Sequence, residues 1–171
     1  ENYIDVLGGS TKSSGEWSAT NVPYRILEDR EVRIQHDVSV EAGSRFEFDG
    51  DSSLIVDTGG SIDASGTTDK KIVFTGTSTV KGAWHGVRIV SDNVNNLLNN
   101  VEVSFGGGST IFCGNIWIGT SGKLDLTNSL ITNSDRFGIY VASGGVLTES
   151  ANEFTGNAAG EMSGGDIAPC S

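Results

Sequence analysis

A short pattern of apolar residues around a glycine corner recurs along the chain and limits what it can fold into. Each copy has apolar residues at alternate positions, a corner of small residues, and a second alternating stretch. Because side chains alternate between the two faces of a strand, each stretch is predicted to be a short strand with one apolar face. The copies are 38–40 with 46–48, 54–56 with 62–64, 116–118 with 124–126, and 139–141 with Leu147.

A third strand is predicted after most copies, at 72–74, 101–103 and 130–132, with a shorter one at Phe154. Asn99, Asn128 and Asn152 stand two positions before strands of this set, 29 and 24 residues apart, and predict a ladder of stacked asparagines at one corner. Three strands per repeat with recurring corner residues favour an all-β parallel solenoid. A β-sandwich is the competing architecture, but its hairpins would not require Gly and Asn to recur with the period.

These repeats resemble the right-handed parallel β-helix repeat family of secreted and surface bacterial proteins. The resemblance is carried by residues 23–26, 38–43, 54–66, 71–75 and 82–89, and continues to about Asn157. It implies a right-handed parallel β-helix of about five to six turns over residues 23–159. The family includes surface modules without catalytic activity as well as polysaccharide lyases and hydrolases, so the resemblance implies a fold more firmly than an activity.

The two ends of the chain fall outside the repeat. Residues 1–22 are expected to form an N-terminal arm or cap, whose β-prone part contains Tyr3, Ile4, Val6 and Leu7. This arm either covers the first turn of its own solenoid or adds a strand to a neighbouring subunit. Residues 160–171 are expected to form a glycine-rich tail.

The cysteines offer one way to hold that tail. Cys113 and Cys170 are the only two in the chain. We expect them to form a disulfide that ties the tail to the body, with two free buried thiols as the alternative. A disulfide would require an oxidising compartment.

The net charge argues against nucleic acid as a partner, and the short apolar runs argue against a membrane-spanning segment. The chain has 11 Lys and Arg against 22 Asp and Glu, a net charge of −11, which repels nucleic acid. No run of about 18 apolar residues is present, so the chain is not expected to span a membrane. It begins at Glu1 without an initiator methionine, so we expect either the mature form of a secreted or cell-surface protein, with its signal peptide removed, or an excised part of one.

Motifs for catalysis are missing from the sequence, and no catalytic residue is predicted. There is no GxSxG elbow, and His36 and His85 do not stand in a metal-binding arrangement. Asp63 and Asp125 occupy equivalent outward positions, so an acidic groove is the basis for an enzyme hypothesis, with a solvated face as the alternative. No cofactor is expected apart from calcium.

Calcium could bind where the sequence places several hard oxygen ligands in one turn. Asp49, Asp51 and Asp57 supply carboxylates of the kind that calcium prefers. The alternative is a polar turn that merely connects two strands.

One outward row of the solenoid is predicted to carry large side chains. It contains Ser39, Ile55, Arg88, Trp117 and Tyr140, the last two one repeat apart. Adjacent exposed aromatic rings stack on sugars or bury against another chain. The alternative is that a loop or the tail covers them.

Together these features predict a non-catalytic extracellular structural or adhesive protein that assembles with itself, into a filament or surface layer, through its arm and open ends. The contact face would contain Ile55, Arg88, Trp117 and Tyr140. The alternatives are a carbohydrate-binding module that stacks surface glycans on Trp117 and Tyr140, and a polysaccharide lyase or hydrolase.

Overall fold

The computed structural model describes residues 2–166, which form twenty β-strands and no helix. The strands belong to three sheets. Sheet 1 contains β1 (Ile4–Val6), β4 (Tyr24–Ile26), β7 (Arg45–Phe48), β10 (Ile72–Gly76), β13 (Val101–Ser104), β16 (Leu130–Thr132) and β19 (Glu153–Thr155). Sheet 2 contains β2 (Gly9–Ser10), β5 (Glu31–Ile34), β8 (Ser53–Val56), β11 (Gly86–Ile89), β14 (Gly114–Ile118), β17 (Phe137–Ala142) and β20 (Gly160–Gly165). Sheet 3 contains β3 (Gly15–Trp17), β6 (Asp37–Val40), β9 (Ser61–Ser65), β12 (Leu97–Asn99), β15 (Lys123–Thr127) and β18 (Val146–Ser150).

Every strand pairs in parallel with the strand three places before or after it in the chain. The chain therefore visits sheets 1, 2 and 3 in turn and places each turn on the one before it. This is the arrangement of a parallel β-solenoid, and the predicted all-β parallel fold with three strands per repeat is confirmed.

The core is a set of inward columns, in which residues of successive turns stack because the strands pair in register. On sheet 1, the rings of Tyr24, Phe46 and Phe74 stack at centroid distances of 5.1 and 5.2 Å. Phe48 stacks on Trp84 at 4.1 Å inside the same core. No single turn encloses its apolar side chains alone, so stability depends on contact between neighbouring turns.

Residues 4–17 contribute three strands to the solenoid, which corrects the prediction of a separate arm. Ile4 and Val6 pair with Tyr24 and Ile26 of the next turn, and Trp17 pairs with Val40. Strands β1, β2 and β3 thus make a complete first turn. The separate arm was predicted because these strands are only two or three residues long and too short to show alternation.

The predicted C-terminal tail also begins as part of the solenoid. Residues Gly160–Gly165 form β20, which pairs with β17 in sheet 2. Cys113 is disulfide-bonded. Its predicted partner, Cys170, lies outside the described residues.

One of the four repeat copies was assigned to the wrong corner. Residues Asp37–Val40 lie in sheet 3, where Ser39 pairs with Asp63, whereas the other three copies start in sheet 2. The strand of this turn that lies in sheet 2 is Glu31–Ile34, and Arg33 pairs with Ile55. In the outward row, Arg33 therefore takes the place predicted for Ser39, and Ser10 of the first turn precedes it.

The predicted asparagine ladder is displaced by one residue per turn. Strand register places Asn99 opposite Thr127 and Thr127 opposite Ser150, which gives spacings of 127 − 99 = 28 and 150 − 127 = 23 residues. The asparagine spacings are 29 and 24, so Asn99, Asn128 and Asn152 occupy consecutive positions of the repeat and do not form a column. Asn99 still accepts a hydrogen bond from the Asn128 side chain at 3.0 Å.

A buried asparagine at the corner after sheet 1 holds adjacent turns together. The Asn115 Oδ1 atom accepts from the Gly106 N–H at 2.7 Å, and its Nδ2 donates to the Val103 and Thr132 carbonyl oxygens at 3.1 and 2.8 Å. Asn157 repeats this pattern on Ser134 and Ile131, as Asn152 does on Ser129 and Leu126. Side-chain amides thus satisfy backbone groups where the strand ladder is interrupted.

The corner between sheets 2 and 3 requires glycine because the backbone of the preceding turn lies too close for a side chain. A Cβ atom at Gly60 would collide with the Ile34 carbonyl oxygen, and one at Gly122 with the Ile89 carbonyl oxygen. Unusual backbone angles are not the reason at these two positions, since neither glycine has a positive φ.

Candidate functional site

The outward column of sheet 2 carries the large side chains that the sequence indicated. Strand register places Ile55, Arg88, Trp117 and Tyr140 side by side on successive strands. Ile55 is fully buried, and Trp117 and Tyr140 are only 7% and 8% exposed. The exposed contact face predicted from the alternation is therefore covered, as its alternative interpretation proposed.

A loop that connects β13 to β14, residues 105–113, supplies much of that cover. The Phe112 ring meets the Trp117 ring edge-on at a centroid distance of 5.2 Å, and the Arg88 guanidinium lies 3.4 Å from the Phe112 centroid. The Tyr140 hydroxyl donates to the Asp166 carbonyl oxygen at 3.2 Å. A second, smaller apolar cluster results outside the solenoid core, formed by Cys113, Trp117, Tyr140 and Ala142 with Val90, Phe112 and Phe137.

This outer cluster is held by ring contacts more than by hydrogen bonds. The Arg88 Nε and Trp117 Nε1 atoms are buried and have no hydrogen-bond partner in the described part of the chain. Burial lowers the pKa of Arg88 from its usual value, although the aromatic face of Phe112 attracts its charge. Unpaired buried donors destabilise such a cluster, so its cover is expected to open more easily than the core.

Next to this cluster, Arg33 forms ion pairs with two acidic side chains. Its guanidinium contacts Glu31 at 2.6 Å and Asp57 at 3.1 Å. The hydrogen bond to Glu31 raises the pKa of Arg33. Burial alone would raise the pKa of Asp57, but hydrogen bonds from the Thr58 N–H, Gln35 and Arg33 outweigh it and lower that pKa.

The three aspartates of the predicted calcium site have separate partners. Asp57 binds Arg33, Asp49 accepts from the Thr77 hydroxyl at 2.8 Å, and Asp51 lies 3.3 Å from the His85 Nε2 atom. Residues 2–166 contain no group of three His, Cys, Asp or Glu side chains arranged to hold a metal ion. Calcium binding at these aspartates therefore stays a prediction.

Sheet 3 has an open outer face with a shallow acidic groove. Asp63 and Asp125 lie in one outward column with Leu97 between them. They line a groove of about 690 Å³ together with Glu16, Asp37, Ser39 and Val94. Because adjacent strands lie about 4.8 Å apart, the two aspartates are separated by roughly 10 Å of sheet. The groove offers carboxylates and hydroxyl groups to a ligand but no basic side chain.

At the N-terminal end of the solenoid, part of the apolar core lines an open cavity. A cavity of about 150 Å³ is lined only by apolar and aromatic side chains: Val6, Trp17, Tyr24, Ile26, Val32, Phe46, Phe48 and Leu54. Strands β1, β2 and β3 each lie at the edge of a sheet, so within residues 2–166 one side of their backbones has no strand partner. At this end Ile4 is 40% exposed, and Leu7 is more exposed still.

The C-terminal end differs from the N-terminal end in its charges. Its last turn contains exposed Glu149, Glu153, Glu161 and Asp166. The sequence contains no Lys or Arg after Arg136. Met162 closes an inward column and is 45% exposed.

The open N-terminal end was not found by sequence reasoning. The signal that could have revealed it is the apolar pair Ile4 and Val6, whose spacing matches Tyr24 and Ile26 twenty residues later. That spacing marks Ile4–Val6 as a strand that pairs with Tyr24–Ile26.

Comparisons with known proteins found no relative of this chain. No family model, no curated protein and no solved structure matches the chain. The class it belongs to, the parallel β-solenoids, is therefore defined by its strand topology alone. In the described residues no helix is long and apolar enough to cross a membrane.

Proposed function

We propose that this chain is a non-catalytic structural module, a rigid β-solenoid that assembles through its N-terminal end. The observation that carries the proposal is the apolar opening lined by Val6, Trp17 and Tyr24. Exposed apolar surface beside unpaired strand edges is a strong driving force for association, since a partner would bury side chains and pair backbone groups at once.

The rest of the surface supports a structural role. The large outward side chains of sheet 2 pack against the loop formed by residues 105–113. Arg33 and Asp57 pair with each other. The bonded state of Cys113 suits an oxidising compartment, and the proposal therefore places the module outside the cytosol.

The other two hypotheses have less support. A carbohydrate-binding module would need access to Trp117 and Tyr140, which are buried. A polysaccharide-active enzyme would use the groove around Asp63 and Asp125, which lacks a basic side chain to pair with an acidic sugar.

Sedimentation velocity over a range of protein concentrations tests the proposal. We expect a concentration-dependent complex that Val6→Asp abolishes, because the new carboxylate lies at the rim of the apolar opening. The matched control is Val94→Asp in the turn before β12, where the valine is already exposed and does not belong to the first turn. Circular dichroism of each variant establishes that it is folded. A wild-type protein that stays monomeric at every concentration would refute the proposal.

A further inference from the structure

We infer that the partner at the N-terminal end is the N-terminal end of a second copy, so that assembly stops at a closed dimer. This inference rests on the proposed function. An end-to-end assembly has three possible arrangements: contact between two N-terminal ends, contact between two C-terminal ends, and a head-to-tail filament. The first of these is the one inferred.

The C-terminal end carries a charge where further stacking would need an apolar side chain. Glu149 pairs with Leu126 and stands in the inward column that Leu98, Ala64 and Val40 fill in earlier turns. Those four residues are buried. Another turn placed on this end would bury the Glu149 carboxylate against apolar neighbours, and an inward-pointing charge at a sheet edge opposes pairing for that reason.

Charge along the rims also favours contact between two N-terminal ends. The last turn presents Glu149, Glu153, Glu161 and Asp166 without a basic residue. The first turn presents Lys12 with Asp5 and Glu16, and Asp5 is already paired with Arg25 at 2.8 Å. A two-fold axis can place Lys12 of one copy near an acidic side chain of the other, whereas any contact that includes the last turn adds four like charges to the interface.

The backbone allows this arrangement. A two-fold axis perpendicular to sheet 1 would make the edge strand β1 run antiparallel to β1 of the second copy, and an antiparallel pair satisfies N–H and C=O groups as well as a parallel one. The contact uses the same surface on both copies and leaves no further N-terminal edge exposed, so it closes after two subunits.

Two matched lysine substitutions distinguish the arrangements. Ile4 and Met162 lie at opposite ends of the solenoid, each in an inward column, and are 40% and 45% exposed. Ile4→Lys is expected to weaken the dimer about tenfold or more in its dissociation constant, because it buries a charge at the contact. Met162→Lys is expected to leave the dimer unchanged. Both are measured by sedimentation equilibrium, with circular dichroism as the test of folding.

The outcomes separate this inference from the proposed function. A filament in the wild type, or a dimer that both substitutions weaken, would overturn the head-to-head arrangement but not association itself. A dimer that neither weakens would also overturn it. A wild-type monomer at all concentrations would overturn both. If Ile4→Lys does not fold, Leu7→Lys replaces it, because Leu7 belongs to the same turn and is largely exposed.

Discussion

Glu149 lies in register with Leu126, on the inward column of sheet 3. Leu126 is fully buried by the turns on both sides of it, whereas Glu149 belongs to the last turn and is exposed. Its carboxylate accepts a hydrogen bond from the Asn152 side chain at 2.9 Å. A polar pair thus ends a column that is apolar in the turns before it.

Replacing this carboxylate by an apolar group should remove the barrier to growth at the C-terminal end. We expect Glu149→Leu to form species larger than a dimer, which sedimentation velocity would detect as a faster boundary that grows with concentration. Glu149→Gln is the control, because it removes the charge but keeps a polar group on the column. If Glu149→Leu has the same size distribution as the wild type, Glu149 does not limit assembly.

Asn115 is expected to be among the polar residues on which stability depends most. Asn115→Ala would leave the Gly106 N–H and two carbonyl oxygens without their partner in a buried corner. We expect the free energy of unfolding to fall by about 2–4 kcal/mol, since each buried group left unpaired costs about 1–3 kcal/mol. Denaturant titration measures the change. The exposed Asn95→Ala should change it by less than about 0.5 kcal/mol, and equal losses in the two variants would contradict this role.

The loop cover over Trp117 can be tested by fluorescence. Phe112→Ala removes the ring that packs on both Trp117 and Arg88. We expect tryptophan emission to shift to longer wavelength and quenching by acrylamide to increase, because Trp117 gains contact with water. The neighbouring Ile111 is exposed, so Ile111→Ala should leave both signals unchanged. A Phe112→Ala spectrum identical to that of the wild type would mean that another group covers the indole.

The ion pair between Arg33 and Asp57 should make stability depend on pH. The pKa of Asp57 is lowered in the folded state from its usual 3.8. The ionised form therefore adds stability above pH 3.8, and this contribution is lost as pH falls through the folded-state pKa. We expect Asp57→Asn to be less stable than the wild type by about 0.5–1 kcal/mol at pH 7, with the difference vanishing in acid. The exposed Asp69→Asn is the control, and a difference that does not change with pH would contradict the assignment.

Sequence reasoning found the fold because the apolar alternation is strong in the middle of the chain. Trp117 and Tyr140 stand 23 residues apart, and the structure pairs them on adjacent strands. Apolar alternation does not reveal strands that are short or carry charged residues. Glu31–Ile34 has Arg33 at its outward centre and was not predicted, and in the first turn only the stretch around Ile4 and Val6 showed a β-prone pattern.

Burial on the outer faces could not be predicted from alternation. The pattern assigns Trp117 to the outside of the solenoid, which is correct, but the loop that returns to cover it has no periodic signal. Similarly, each asparagine stands two positions before a predicted strand, which suggested a column, but their spacings of 29 and 24 residues exceed the register spacings of 28 and 23 by one residue each. The two described ends differ because one is lined by apolar side chains and the other carries acidic ones. A repeat pattern does not show which residues lie in the first and last turns.

Hydrogen exchange of the backbone amides, measured at low and high protein concentration, tests the central claim most directly. If two N-terminal ends pair, amides of the first turn, in β1 and β3, become protected as concentration rises, because a second copy covers their edge. Amides of β20 should exchange at the same rate at both concentrations. Protection that rises in β20 as much as in β1, or in neither, would contradict assembly through the N-terminal end.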